Sequence, residues 1–243
     1  MPKIIDLTHK FTKSMPVHHF DEPPSIEKIR NLADHKYNDW KLSSGMHAGT
    51  HIDGPGHLTE SKALLCDTPI DRFVGKGYLI DARNKAIDES LLKDLPAEDN
   101  LIVLILTGAD NTFGTDDYFN NHPVISVNFA NELVKRKIKM IGIDFFSPDG
   151  VPSHDIRHSL TQPSPYVATA GSPSQLTVED NLMATANKYP FETHKIFFQN
   201  NILIIENLTN LESLLGIKNF TVIALPLKTE TDSALARVIA IVD

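Results

Sequence analysis

Cysteine is nearly absent: the 243-residue chain carries one, Cys66. A single thiol excludes an intrachain disulfide and a multi-cysteine zinc site, so any metal must be held by nitrogen and oxygen. Long apolar runs are missing as well. The longest, LIVLIL at Leu101 to Leu106, falls far short of the ~20 residues that cross a bilayer. The opening MPKIIDLTHKFTKSMP lacks the apolar core of a secretory signal. A cytoplasmic protein with no membrane partner is expected. Positive charge is scarce too: 23 Lys and Arg face 31 Asp and Glu, a formal net charge of −8. The basic residues are dispersed, and no nucleic-acid partner is expected, because neutralising phosphates needs clustered positive charge.

The remaining composition, 41% hydrophobic and 22% charged, is that of a globular chain and sets aside disordered and fibrous classes. The length admits one large domain or two modest ones. Short runs rich in Ile and Val recur between turn signals: KIIDL near the start, GYLIDA (77–82), LIVLIL, KMIGID (139–144), NILIIE (201–206) and FTVIALPL (220–227). Runs of this kind predict buried strands. SVNFANELVKRKIK, from Ser126, places Phe129, Leu133 and Val134 on one side of a helix that feeds the Met140 strand. The pattern is mixed α/β. From Ser153 to Gln175 the chain is rich in Ser, Thr, Pro and Gly without periodicity, which predicts a long loop serving as a lid, a binding loop or a tolerated surface insertion. A short helix is expected after it, from Val178.

The chemistry concentrates in HAGTHIDGPGH, His47 to His57. An even spread of the chain's 11 histidines would put about half of one in such a window, and three are there. His47 and His51 have the i, i+4 spacing of helical zinc sites, but Gly49 and Gly54-Pro55-Gly56 oppose a helix. In an extended segment His47, His51 and Asp53 share a face. Two imidazoles and a carboxylate suit zinc, manganese or iron and leave coordination positions for water. A divalent ion there can acidify water and polarise a carbonyl, and His57, beyond the bend, is placed to move protons. On spacing alone, a solvated turn with clustered histidines stays open beside the metal site.

The segment also resembles the His-x-Gly-Thr-His-x-Asp-x-Pro-x-His signature of the cyclase-like metal hydrolases, the family of bacterial kynurenine formamidase (arylformamidase) and isatin hydrolase. His47, Gly49, Thr50, His51, Asp53, Pro55 and His57 match it. IIDLTHKFTKSMPV, LTGAD, KMIGIDFFSPD and HKIFFQNNILIIENL are similar to further family segments, so the resemblance spans nearly the whole chain. It implies a single domain over 1–243 with a swivelling β/β/α fold and a long insertion around 150–190. It implies one ion on His47, His51 and Asp53, and a second on Asp53, His194 and Glu206. His57 would be the general acid/base. Zn2+ is the expected metal, with two ions per subunit and Mn2+ as the alternative, in a homodimer or homotetramer.

Where formamidases carry a Trp-Pro-Gly-Asp-like stretch, this chain reads MPVHHFDEPP. His18, His19 and Phe20 are therefore the candidate substrate-lining residues, able to stack on an aromatic group. His154 and His158 are expected to be surface residues. The activity implied is hydrolysis of a small amide, an aryl formamide of the N-formylkynurenine type as in tryptophan catabolism, or a lactam. Cyclisation, dehydration or lactone and ester hydrolysis on the same site, and a non-catalytic metal-stabilised binding protein, are the alternatives.

Overall fold

The computed structural model describes residues 2–18, 21–150 and 191–242. His19, Phe20, His154, His158, the long loop from 153 to 175, the insertion around 150–190 apart from Gly150 and the helix expected from Val178 lie outside the described residues.

Each of the six apolar runs contains a strand. In chain order the strands are β1 (Lys3–Asp6), β2 (Ser25–Arg30), β3 (Asp39–Ser43), β4 (His51–Asp53), β5 (Val74–Asp81), β6 (Ile102–Leu106), β7 (Met140–Ile143), β8 (Leu203–Glu206), β9 (Phe220–Pro226) and β10 (Ser233–Val242). The α-helices among the described residues are α1 (Leu32–His35), α2 (Asp116–Asn120), α3 (Val127–Lys135) and α4 (Glu192–Gln199). Strands β2 and β3 form a separate antiparallel hairpin. The others make one sheet, in the order β1-β10-β4-β8-β7-β6-β5-β9. Strands β5 to β8 run parallel to one another, and β5 and β8 pair antiparallel with β9 and β4 at either end of that group.

Strand β10 closes this sheet into a barrel-like ring. Ser233–Leu235 pair with β4, Ala236–Val242 pair with β9, and the last four residues also pair with β1. The inward positions Ala224, Ala234, Ala236, Val238 and Ala240 are buried, and small side chains at alternate positions suit the crowded interior of a small barrel.

The run LIVLIL is apolar throughout because both its faces are covered. Ile102, Leu104 and Leu106 enter the barrel core with Ile52, Leu203, Ile205 and Phe220. Val103 and Ile105 face the other way, onto Phe129, Leu133 and Phe197 of α3 and α4. Helix α3 is capped by Ser126, whose Oγ accepts from Phe129 N at 3.2 Å and so satisfies one of its first-turn amides. At the end of β7 the buried Asp144 accepts from Thr107 N, Thr107 Oγ1 and Gly108 N at 2.6–3.0 Å. It thereby ties the loops after β6 and β7 together. Burial pushes its carboxyl up to about 6 against the pull of these hydrogen bonds. Among the described residues no helix is long and apolar enough to cross a membrane.

Gly77 on β5 leaves room for the buried Phe220 ring, and a Cβ there would lie 2.0 Å from Phe220 Cε2. Because a phenyl ring cannot bend away, Gly77→Ala is expected to lower stability by about 1–3 kcal/mol, the usual cost of overpacking a core. Urea unfolding at constant m-value checks this.

Candidate metal centre

Residues 46–50 turn the chain into β4. Gly49 takes φ 69°, and a Cβ there would also meet Met15 Cε at 2.9 Å, so glycine is needed for conformation and for space. His51 and Asp53 then occupy alternate positions of β4 and project to one face. His47 does not belong to the strand. It reaches in from the turn, so the continuous extended tripod expected from the spacing is only partly realised. Gly49 at positive φ breaks the alternation between His47 and His51. Antiparallel pairing with β8 sets His51 opposite Glu206, the last residue of that strand. Helix α4 packs across this end and delivers His194 from its first turn.

Five side chains converge. His47 Nδ1 lies 3.1 Å from His51 Nε2 and 3.2 Å from Asp53 Oδ1. His51 Nε2 is 3.5 Å from Asp53 Oδ1 and 3.4 Å from Glu206 Oε2. His194 Nε2 is 3.2 Å from Glu206 Oε1. Two sets, His47, His51, Asp53 and Asp53, His194, Glu206, each bring their ligand atoms within 4.8 Å of one another, with Asp53 common to both. Asp53 is 1% exposed, and neither of its oxygens receives a hydrogen bond. The imidazoles stand at ion-pair distance but off the hydrogen-bonding direction. A buried carboxylate without donors is costly unless cations surround it, and nitrogen and oxygen donors of this kind fit zinc or manganese.

The electrostatics are those of a centre that holds protons where cations would sit. Burial opposes charge on His51, yet Asp53 and Glu206 overcome it and raise its pKa well above the ordinary value. Burial likewise opposes charge on His194, but Asp149 and Glu206 push it up to about 9. Asp53 and Glu206 are both held below the ordinary carboxylate range, burial being outweighed by the imidazoles. His57 behaves oppositely. It closes the short 3-10 turn Pro55–His57, with its ring 4.4 Å from that of His47 and 6.2 Å from that of His194. Burial lowers its pKa, Asp53 partly compensates, and the two neighbouring imidazoles lower it further.

Three residues with no distinguishing pattern in the sequence hold this arrangement. Tyr118 donates from its hydroxyl to Asn207 Oδ1 at 2.5 Å, and Asn207 Nδ2 donates to Gly49 O at 3.0 Å. His51 Nδ1 lies 2.8 Å from the same carbonyl. Asp149, the third, lies 2.6 Å from His194 Nδ1 through Oδ2. Asp149 closes the segment KMIGIDFFSPD and Asn207 lies in HKIFFQNNILIIENL, whose resemblance to the family was the available signal; Tyr118 carried none. His18 stacks on Phe146, ring centroids 5.1 Å apart, and meets Phe119 edge-on. That aromatic group adjoins the centre through His122, whose Nε2 is 2.9 Å from Asp149 O.

A profile of the putative cyclase family matches residues 5–150, more than half of the chain. The chain belongs to the cyclase family. The matched span holds His47 to His57 and Asp149, whereas His194 and Glu206 lie beyond it. An uncharacterized protein of Methanocaldococcus jannaschii is 34% identical over 204 residues, covering 83% of this chain and 81% of that protein. The kynurenine formamidase of Geobacillus thermodenitrificans is 30% identical over 156 residues, covering 63% of this chain and 73% of the enzyme. The solved structure of isatin hydrolase A from Ralstonia solanacearum superposes with a TM-score of 0.75 at 18% identity, over 100% of this chain and 92% of that one. At that identity the likeness is one of fold, and it extends to the C-terminal segments that carry His194 and Glu206.

The raised pKa values have a definite pH consequence. A histidine whose pKa is raised on folding contributes stability that is complete below its unfolded value and lost as pH rises through its folded value. Chelator-treated protein is therefore expected to lose thermal stability as pH rises from 6.5 to about 9, as Asp53 and Glu206 lose their imidazolium partners. Zinc must displace those protons, so its affinity should rise over the same interval, with proton release. Melting curves with and without zinc, and calorimetry in buffers of different ionisation enthalpy, check both. A binding heat that is independent of the buffer would contradict the second.

Proposed function

We propose that this cyclase-family protein is a metal-dependent hydrolase that cleaves the C–N bond of a small amide, an aryl formamide of the N-formylkynurenine type or a lactam. The carrying observation is the pair of His/carboxylate sets sharing Asp53, with His57 beside both and in neither. His47, His51 and Asp53 would hold one ion, and Asp53, His194 and Glu206 a second, with zinc favoured and manganese the alternative. A divalent ion there supplies Lewis acidity to a carbonyl oxygen and lowers the pKa of water to roughly 7.

The protein's own groups do the rest. His57, kept neutral near pH 7 by burial and by the neighbouring imidazoles, takes a proton on its free ring nitrogen as water attacks the carbonyl carbon. It then gives that proton to the leaving nitrogen as the C–N bond breaks. His47, His51, Asp53, His194 and Glu206 would hold the ions whose positive charge favours the oxygen on which negative charge develops. His18, stacked on Phe146, offers an aromatic surface that favours an aryl group. The relatives named kynurenine formamidase and isatin hydrolase support the same carbonyl class.

His57→Ala is expected to lower kcat/KM on an aryl formamide or lactam by about 10²–10⁴-fold, the usual contribution of a general acid/base, while zinc stoichiometry stays unchanged. A panel of aryl formamides, lactams and cyclic imides, read by mass for the addition of one water, checks the reaction class. Equal rates for His57→Ala and wild type, or a product isomeric with the substrate, would overturn the hydrolytic reading. A large loss of thermal stability on chelation with no turnover of any compound would instead point to a metal-stabilised binding protein.

A further inference from the structure

Helix α4 starts without a cap of its own. Its N-cap position is Phe191, at φ 47° and with no side-chain oxygen to offer, yet the first-turn amides need acceptors. Asp149, far earlier in the chain, supplies them: Oδ1 accepts from Thr193 N at 2.9 Å and Oδ2 from His194 N at 3.0 Å. The same Oδ2 is 2.6 Å from His194 Nδ1. An ionised carboxylate only accepts, so the protonated ring donates from Nδ1 to Asp149 and from Nε2 to Glu206 Oε1 at 3.2 Å, and the contact to Asp149 is the shorter of the two. In the neutral ring the shorter contact keeps the proton on Nδ1, and the Nε2 lone pair is left for an ion.

We propose that Asp149 is the positioning residue for the second ion: one carboxylate starts helix α4 and selects the His194 tautomer whose Nε2 is free to bind metal. The proposal rests on the two-ion reading above. The two halves of the centre are oriented by different chemistry. His51 leans on a neutral carbonyl, Gly49 O, at 2.8 Å. His194 leans on a charged carboxylate, which fixes the tautomer and also makes the ring a stronger ligand. Asp149 is itself anchored, since its carbonyl meets His122 Nε2 at 2.9 Å and its amide donates to Ser147 Oγ at 3.3 Å. The carboxylate serves three donors with two oxygens. An asparagine has one acceptor oxygen, so it must either turn its amide towards His194 Nδ1 or confront Thr193 N–H with it.

The test is Asp149→Asn, titrated with Zn2+ by calorimetry alongside wild type, with long-range 1H–15N spectra of the histidine rings. Wild type is expected to bind two ions and to show the neutral His194 proton on Nδ1. Asp149→Asn is expected to keep one ion at wild-type affinity and to weaken the other roughly 10- to 100-fold, the usual effect of losing such an outer partner, with redistribution of the His194 proton. If both ions bind as in wild type and only the melting temperature falls, Asp149 is a helix cap alone and the proposal is overturned. If the variant does not fold, the wild-type spectrum decides: a neutral His194 protonated on Nε2 overturns the proposal, and a proton on Nδ1 supports it. A wild-type protein that binds a single ion would overturn the two-ion reading and this proposal with it. The wild-type ion count separates that case from a failure of Asp149 by itself.

Discussion

Asp53 is the residue on which the rest of this structure turns. It sits on a strand held between β8 and β10, with both oxygens removed from water and from any hydrogen-bond donor. An ionised group in that position is tolerable only among positive charges. His47, His51 and, through Glu206, His194 are gathered around it; the carboxylates outweigh the cost of burying the His51 and His194 rings, and the imidazoles outweigh the cost of burying Asp53. Protons on His51 and His194 thus balance the buried carboxylates, and the same side chains offer nitrogen and oxygen atoms suited to a divalent ion.

The barrel explains why such a charge cluster can be rigid. Pairing of β4 on both edges fixes which face His51 and Asp53 present, since a one-residue slip would send them into the apolar interior beside Ile52. Outer contacts then set the rings. The chain Tyr118–Asn207–Gly49 holds His51, and Asp149 holds His194. His57 has no such partner among its described contacts. It is tuned instead by burial and by like-charged neighbours, in the direction a proton carrier needs.

Much of the fold was legible in the sequence, and the exceptions have physical causes. LIVLIL and NILIIE announce strands because strands covered on both faces must be apolar throughout. Strand β10 was missed because three of its four buried inward positions, Ala234, Ala236 and Ala240, are alanines, which a crowded barrel interior needs and which carry little strand signal. The hairpin β2–β3 was missed because most of its residues are exposed and polar. Strand β4 is only three residues long, and its identity as a strand comes from the partners on either side.

By itself the sequence determined the ligand chemistry: with one cysteine, a metal must be held by nitrogen and oxygen, and HAGTHIDGPGH concentrates those atoms around residues that leave space and force a bend. Its resemblance to the cyclase-like hydrolases also singled out His194 and Glu206. Only the tertiary structure decided that His47 arrives from a turn and that Asp149, Asn207 and Tyr118 orient the rings. Local sequence can encode which side chains are available and how the chain bends near them. The direction of a ring nitrogen depends on hydrogen bonds from segments far away in the chain, and those partners exist only once the barrel has closed.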